Sequence, residues 1–435
     1  MTIKVIALLL ALSFVAQPAA GAQSEEAPAG VLDLSRSLRD VTREVAGQSD
    51  LVLARRSNEA ALALQPGHPG LLNNALLLSG MAGDLEGQLQ ALERIAQAGL
   101  AFDLDRLDTL AQLQETAPVR LAAIRSRLDR HATAQGRAET LLTVPLADSL
   151  IEAIAVDIET ERVFLGGVAD RTVYVFEHGS SEPQVFAGPE DGLYSVFALA
   201  IDGRNRLLYV ASGSLPQTPL RDGEAPGTAL FAFDLMTGGL MTRHEIEGAG
   251  RITDVTVRDG VVYAVDGGAN RVYRLRGPLA EPETVATHPH FGSLQGIVVT
   301  GGAIWVADYA MGLWRIDPDT GSAQLVPAPQ TSLIGLDGLA TGPDGTIYAV
   351  RNGAEPMGVF RIAVERGAIR SVEPELTLHP AFGEHGEPTT LSIEDNRAFL
   401  VANAQWSLFP ETRDPAAESS RVPPVVLTWP VGPLQ

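Results

Sequence analysis

The chain has 435 residues, 53 of them acidic and 32 basic, none of them cysteine, for a formal charge of -21. That balance argues against nucleic acid as a partner, because a phosphate backbone is bound by clustered Lys and Arg. It also disfavours docking on anionic lipid, and it suits cation binding. Hydrophobic residues at 45% and charged residues at 20% describe a globular chain able to build sizeable cores. The length allows two or three domains.

Residues 1–22 read as a Sec-type signal peptide. Lys4 is the charged end, Val5 to Ala16 the apolar run, and Ala20-Gly21-Ala22 the cleavage site. The run is short for a bilayer span, and without a cysteine there is no lipid anchor. The expectation is an exported protein, periplasmic or secreted, with no membrane attachment after cleavage. Lacking disulfides, its stability must come from packing.

Residues 23–34 are polar and Ala/Pro-rich, a flexible lead. From 35 to 135 the apolar period changes to nearly four. One helix is expected through Leu51 to Leu64, ending at Pro66. A second runs through Leu71 to Leu78. A third starts from Asp84, a good N-cap, with Leu85, Leu89, Leu92 and Ile95 as its stripe. Shorter helices are expected over 103–114 and 118–131. The stretch HPGLLNNALLLSGMAGDLEGQLQALERIAQAG resembles a tetratricopeptide-type helix pair. This solenoid-like domain offers either a surface for a protein partner or a plinth packed on the rest.

Residues 138–435 carry a phrase repeated six times: an apolar alternating strand, a turn, and a second strand ending near a small or acidic residue. The copies are anchored at Ala153, Ala198, Asp254, Gly296, Gly338 and Thr390. A β-period unit of about forty residues is the mark of a propeller blade. The fold class expected is mainly β, a six-bladed β-propeller preceded by a small α-helical domain. The strand 139–144 lacks a partner of its own. It is expected to join 425–430 in the last blade, so that the ring closes without an open edge.

Within antiparallel blades, the loop into the innermost strand and the loop after the second strand share one face. Glu152, Asp254, Gln295, Asp337 and Glu387 therefore gather at one mouth of the channel. Oxygen ligands converging from several blades suit a hard cation such as Ca²⁺, and no zinc-type His/Cys spacing is present. Asp266, Asp308 and Asn403 end second strands, where the repeat suggests a structural turn role.

On these residues the chain resembles the SMP-30/gluconolactonase/luciferin-regenerating propellers. The resemblance implies a divalent cation held by Glu152, Gln295 and Asp337. It also implies substrate contact through Arg251-Ile252-Thr253-Asp254, where Arg251 and Asp254 match and Thr253 replaces an Asn. Gln295 stands in for another Asn, and Ala153-Ile154 departs from the pattern after Glu152. The strand endings at Asp266-Gly267 and Asp308-Tyr309 also resemble NHL-type repeats. The resemblance implies a metal-dependent lactonase or esterase acting on a small molecule in the channel. The alternative is a non-catalytic propeller that binds a ligand or a protein.

Two loops leading into blades share the pattern HP-x-FG, at His288 to Gly292 and His379 to Gly383. His290 and His385 are candidate general bases there, and Phe291 and Phe382 are expected as plugs between blades. Two insertions after second strands, Gly213 to Gly227 and Ala404 to Ser420, overhang the same mouth. Trp406 and Phe409 are candidates for its apolar wall.

Overall fold

The computed structural model describes residues 31–328, 331–412 and 414–432. The signal-peptide reading and most of the lead lie outside them. Six four-stranded antiparallel sheets follow one another along the chain. Their first strands are Ile151–Asp157, Ser195–Asp202, Ile252–Arg258, Leu294–Thr300, Leu336–Thr341 and Leu391–Glu394. These touch their neighbours around a channel, and the first touches the last. Glu139–Thr143 is the outer strand of blade six, with Glu139 opposite Thr428 and Thr143 opposite Val425. The ring closes as the unpartnered strand required.

Burial explains the strand composition. Second strands such as Leu207–Gly213 are buried at every position, because both faces of a blade pack on neighbouring blades. Outer strands such as Leu240–Glu245 are mostly exposed and read as polar. The cores lie between blades. Tyr209 and Leu230 of blade two meet Val262 and Tyr273 of blade three. Trp305 of blade four meets Ile347 of blade five. Phe291 and Phe382 are buried in two of these seams, as plugs.

The feature that builds the site is a recurrent bulge. In five first strands the pairing with the second strand slips near the start: Ile151/Ala153, Val196/Ala198, Ile252/Asp254, Leu294/Ile297 and Leu336/Leu339. A bulge leaves residues out of the ladder and re-aims their side chains. The skipped residues are Glu152, Phe197, Thr253, Gln295 with Gly296, and Asp337 with Gly338. All of them line one cavity.

The two glycines are there because the next blade's backbone passes close by. A Cβ on Gly296 would stand 2.4 Å from the Asp337 carbonyl oxygen, and one on Gly338 2.6 Å from that of Thr389. Gly296→Ala and Gly338→Ala should each lower stability by about 1–3 kcal/mol, the scale of overpacking a tight contact. A thermal melt checks this, and unchanged midpoints would show that the inner ring yields.

The helical region comprises α1 (Val31–Gly47), α2 (Leu51–Leu64), α3 (Pro69–Met81), α4 (Leu85–Gln97), α5 (Leu110–Thr116) and α6 (Pro118–His131). The Asp50 and Asp84 carboxylates cap α2 and α4 by accepting from the Leu53 and Gly87 N–H groups. Two features differ from the sequence reading. Helix α1 was not among the expected helices, and it takes in residues 31–34 of the expected flexible lead, because Leu32 and Leu38 are both buried on its inner side. The helix expected over 103–114 splits into a 3₁₀ turn at Leu104–Arg106 and α5, interrupted by extended Leu107.

This region packs on the mouth face of blades four and five. Gln65 Nε2 donates to the Ala310 carbonyl at 2.6 Å, and the Ser332 N–H to the Ala98 carbonyl at 2.7 Å. Arg351 occupies the register position that Asp266 and Asp308 hold in blades three and four. It is 1% exposed. Its guanidinium donates to the Ser332 and Pro356 carbonyls and, at 3.2 Å, to the Gly99 carbonyl of the helical region. Where blades three and four use an acid to gather their own N–H groups, blade five uses a cation to gather carbonyls from both domains.

Candidate active site in the channel mouth

The bulged residues, with others from the loops above them, enclose a cavity of ≈ 370 Å³. Its charged lining is Glu152, Asp254, Asp337, Glu387 and one cation, Arg251. Glu152 is oriented by the indole of Trp406, which donates to Oε2 at 2.8 Å. Asp337 is oriented by Asn352, whose Nδ2 donates to Oδ2 at 2.7 Å and also to the Pro388 carbonyl at 3.0 Å. Asn352 is 7% exposed. Its Oδ1 is buried and finds no hydrogen-bond partner among the described residues. A buried oxygen left unpaired is costly unless something outside the protein satisfies it.

Confinement pushes the acids away from their ordinary ionisation. Burial raises Glu152 well above the usual carboxylate range, and the Asp337 and Glu387 charges add to it. Asp337 is pushed up to about 7, mainly by burial, against the Asn352 hydrogen bond. Asp254 reaches about 8 by burial, and Glu387 is also raised by burial. In the unfolded chain these groups titrate near pH ~4. Across the window from there to about 8, these four groups bind more protons in the folded metal-free protein than in the unfolded chain. Their contribution to stability must then fall as pH rises. A metal-free melting temperature that drops from pH 5 to pH 8, and drops less in Asp337→Asn, is the expected result. A rising one would mean the acids are compensated in some other way.

The candidate residues separate into three groups. Glu152, Gln295, Asp337 and Arg251 meet in the cavity as expected. The Arg251 guanidinium lies over the Phe197 ring at 5.8 Å, and Gln295 Nε2 donates to Ser293 Oγ at 3.3 Å. Asp254 lines the cavity too, but both its oxygens accept backbone N–H groups, from Val255 and from Ile297 of the next blade, each at 2.8 Å. It straps blade three to blade four. His290 and His385 do not line the cavity. His290 Nδ1 accepts from the Val31 N–H of α1, and His385 is exposed. The paired loops are instead repeated turns, in which His288 and His379 each accept an N–H from two residues on through Nδ1.

Trp406 forms the expected wall. Phe409 does not: it is buried in the seam between blades six and one, beneath Arg421. The insertion 213–227 stays outside the cavity, pinned by an ion pair between Arg171 and Glu224. Asn352 and Tyr309 were not among the expected residues. Both sit just past second strands, in loops without periodicity, and only the Asn352-Gly353 dipeptide hinted at a special turn.

Asp266 and Asp308 are fully buried and frame the mouth. Asp266 accepts the N–H groups of Gly250, Arg251, Gly268 and Ala269 within 2.9 Å. Asp308 accepts those of Gly292, Ser293 and Ala310, together with the Trp314 indole at 3.2 Å. Their role is structural, as the repeat suggested, and Asp266 fixes the backbone from which Arg251 projects.

No family model matches the sequence, and neither does any curated protein. Several solved structures match in shape. A protein from Bacteroides thetaiotaomicron is 11% identical with a TM-score of 0.48, covering 68% of this chain and 73% of its own. A PQQ-bound aldose sugar dehydrogenase from Streptomyces coelicolor is 14% identical with a TM-score of 0.48, covering 68% of this chain and 98% of its own. A chain of a nidogen/laminin complex is 12% identical with a TM-score of 0.41, covering 52% and 80%. The chain is a six-bladed propeller carrying a helical region. At such identities these likenesses concern the course of the chain and leave its chemistry to its own residues.

Proposed function

We propose that the protein is a divalent-cation-dependent hydrolase of lactones or esters, working in the channel mouth. The observation that carries this is the buried, unpartnered Oδ1 of Asn352 beside the Glu152 and Asp337 carboxylates, in a cavity open to a small molecule. Among the described residues no three of His, Cys, Asp and Glu form a metal-holding group. The donor set that fits a hard cation is therefore mixed, with two carboxylates completed by amide oxygens of Asn352 and Gln295. Among the described residues each carboxylate accepts from a single side-chain donor, which leaves its other oxygen for a ligand. Ca²⁺ suits an all-oxygen set of this kind.

Held by Glu152, Asp337, Asn352 and Gln295, a cation would supply Lewis-acid chemistry at a substrate carbonyl. The remaining chemistry belongs to the chain. Arg251, braced on Phe197, presents guanidinium N–H groups to a polar substituent of the substrate. Glu387, with its raised affinity for protons, takes one from the attacking water. Water oxygen bonds to the acyl carbon, the carbon–oxygen bond to the alcohol or ring oxygen breaks, and that oxygen receives the proton. Trp406 covers one side and limits water access.

Export to the periplasm or beyond belongs to the same reading, on the N-terminal sequence alone. Among the described residues no helix is long and apolar enough to cross a membrane. The helical region would act mainly as a plinth packed on blades four and five rather than as a free surface for a protein partner. The test is a panel of lactones and aryl esters assayed with Ca²⁺ and with chelator. Metal-dependent turnover supports the reading. Its absence across the panel would favour a ligand-binding propeller.

A further inference from the structure

A second cavity, of ≈ 310 Å³, lies between the helical region and the propeller, and Tyr309 walls both it and the channel mouth. Its charged lining is of the sign opposite to the chain's, Arg36 and Arg39 of α1, and beside them stands His68 at the start of α3. Arg36 shares an exposed 3.4 Å contact with Asp33. Among the described residues Arg39 makes one side-chain hydrogen-bond contact, Nη1 to His68 Nε2, at 3.3 Å. That contact is frustrated. His68 Nδ1 accepts the Leu71 N–H that it caps, just as His288 and His379 use Nδ1 in their own His-Pro turns. Since Nδ1 accepts, it carries no proton, and burial and then the Arg39 charge also hold the ring below the usual histidine pKa. Its single proton then sits on Nε2 and faces a guanidinium N–H. Two donors meet with no acceptor between them.

We infer that this cleft is an oxyanion site, in which a carboxylate or phosphate oxygen bridges Arg39 and His68 Nε2–H, with Arg36 alongside. An oxygen there pairs both donors at once, and charge-assisted bonds of this kind are the strong ones. The site deepens the hydrolase reading and rests on it for one consequence. A substrate acidic at one end would lay that end in the cleft and its ester or lactone past Tyr309 in the channel.

The test uses the metal-free full chain and titrates inorganic phosphate and, separately, succinate by calorimetry. Saturable binding of either, weakened about tenfold or more in Arg39→Gln and unchanged in Arg251→Gln, supports the site. The two probes distinguish a phosphate from a carboxylate ligand. Binding lost in Arg251→Gln but kept in Arg39→Gln would move the anion to Arg251 and overturn it. Absence of saturable binding to both probes at 10 mM, taken as about the weakest affinity a built site should show, would also overturn it. Where turnover exists, Arg39→Gln should raise KM for acidic esters and leave neutral esters untouched. The calorimetric arms decide the site even if no ester is turned over.

Discussion

Asp337→Asn should abolish metal-dependent hydrolysis while leaving the protein folded. The carboxylate faces a cavity and its held oxygen accepts from Asn352. An amide in its place removes one negative charge from the ligand set and weakens the ion that must balance the developing oxyanion. Losing stabilisation of that type lowers the rate on the order of a hundredfold or more. The measurement is turnover at saturating Ca²⁺ together with a melting curve. Full activity in Asp337→Asn would relocate the chemistry to another part of the mouth.

The largest loss of stability is expected from Asp266→Ala. The carboxylate is fully buried and is the common acceptor for four backbone N–H groups from two loops. Truncation strands those donors, and even with partial hydration of the gap about 3 kcal/mol or more is lost. For a domain of this size that corresponds to a melting temperature lower by roughly 6 °C or more. Asp266→Asn keeps one acceptor oxygen and should fall between. Since Asp266 also holds the Arg251 backbone, KM for a polar substrate should rise in whatever fraction of the variant stays folded. A melting point within two or three degrees of wild type would show that water replaces the carboxylate.

What was legible in the sequence follows from how each feature is encoded. Blade number and ring closure rest on apolar alternation over strands, and a strand such as Leu207–Gly213 cannot be read as anything else once its neighbours repeat it. Glu152, Gln295 and Asp337 were found because they occupy the same place in successive copies. That place turned out to be a bulge, which repeats as faithfully as the strand does. Asn352 and Tyr309 escaped because they follow second strands, where loop length varies and no period guides the eye. In blade five the repeat's acid is replaced by Arg351, which hides the correspondence further. The histidines misled because a His-Pro turn and a catalytic histidine look alike in sequence. Only the Val31 contact to His290 and the exposure of His385 separate them. The site between domains was beyond reach, since nothing in residues 31–70 says which face of the propeller they cover.

Binding of a divalent cation by the Glu152 and Asp337 cluster is the property on which the proposed chemistry depends. The direct measurement is the unfolding free energy of the metal-free protein with and without Ca²⁺, for wild type and Glu152→Gln. A ligand that binds only the folded state adds about 2.7 kcal/mol at a hundred times its dissociation constant. The expected result is a saturable gain of that size in wild type, sharply reduced in Glu152→Gln. Equal stability with Ca²⁺ and with chelator in both proteins would contradict it.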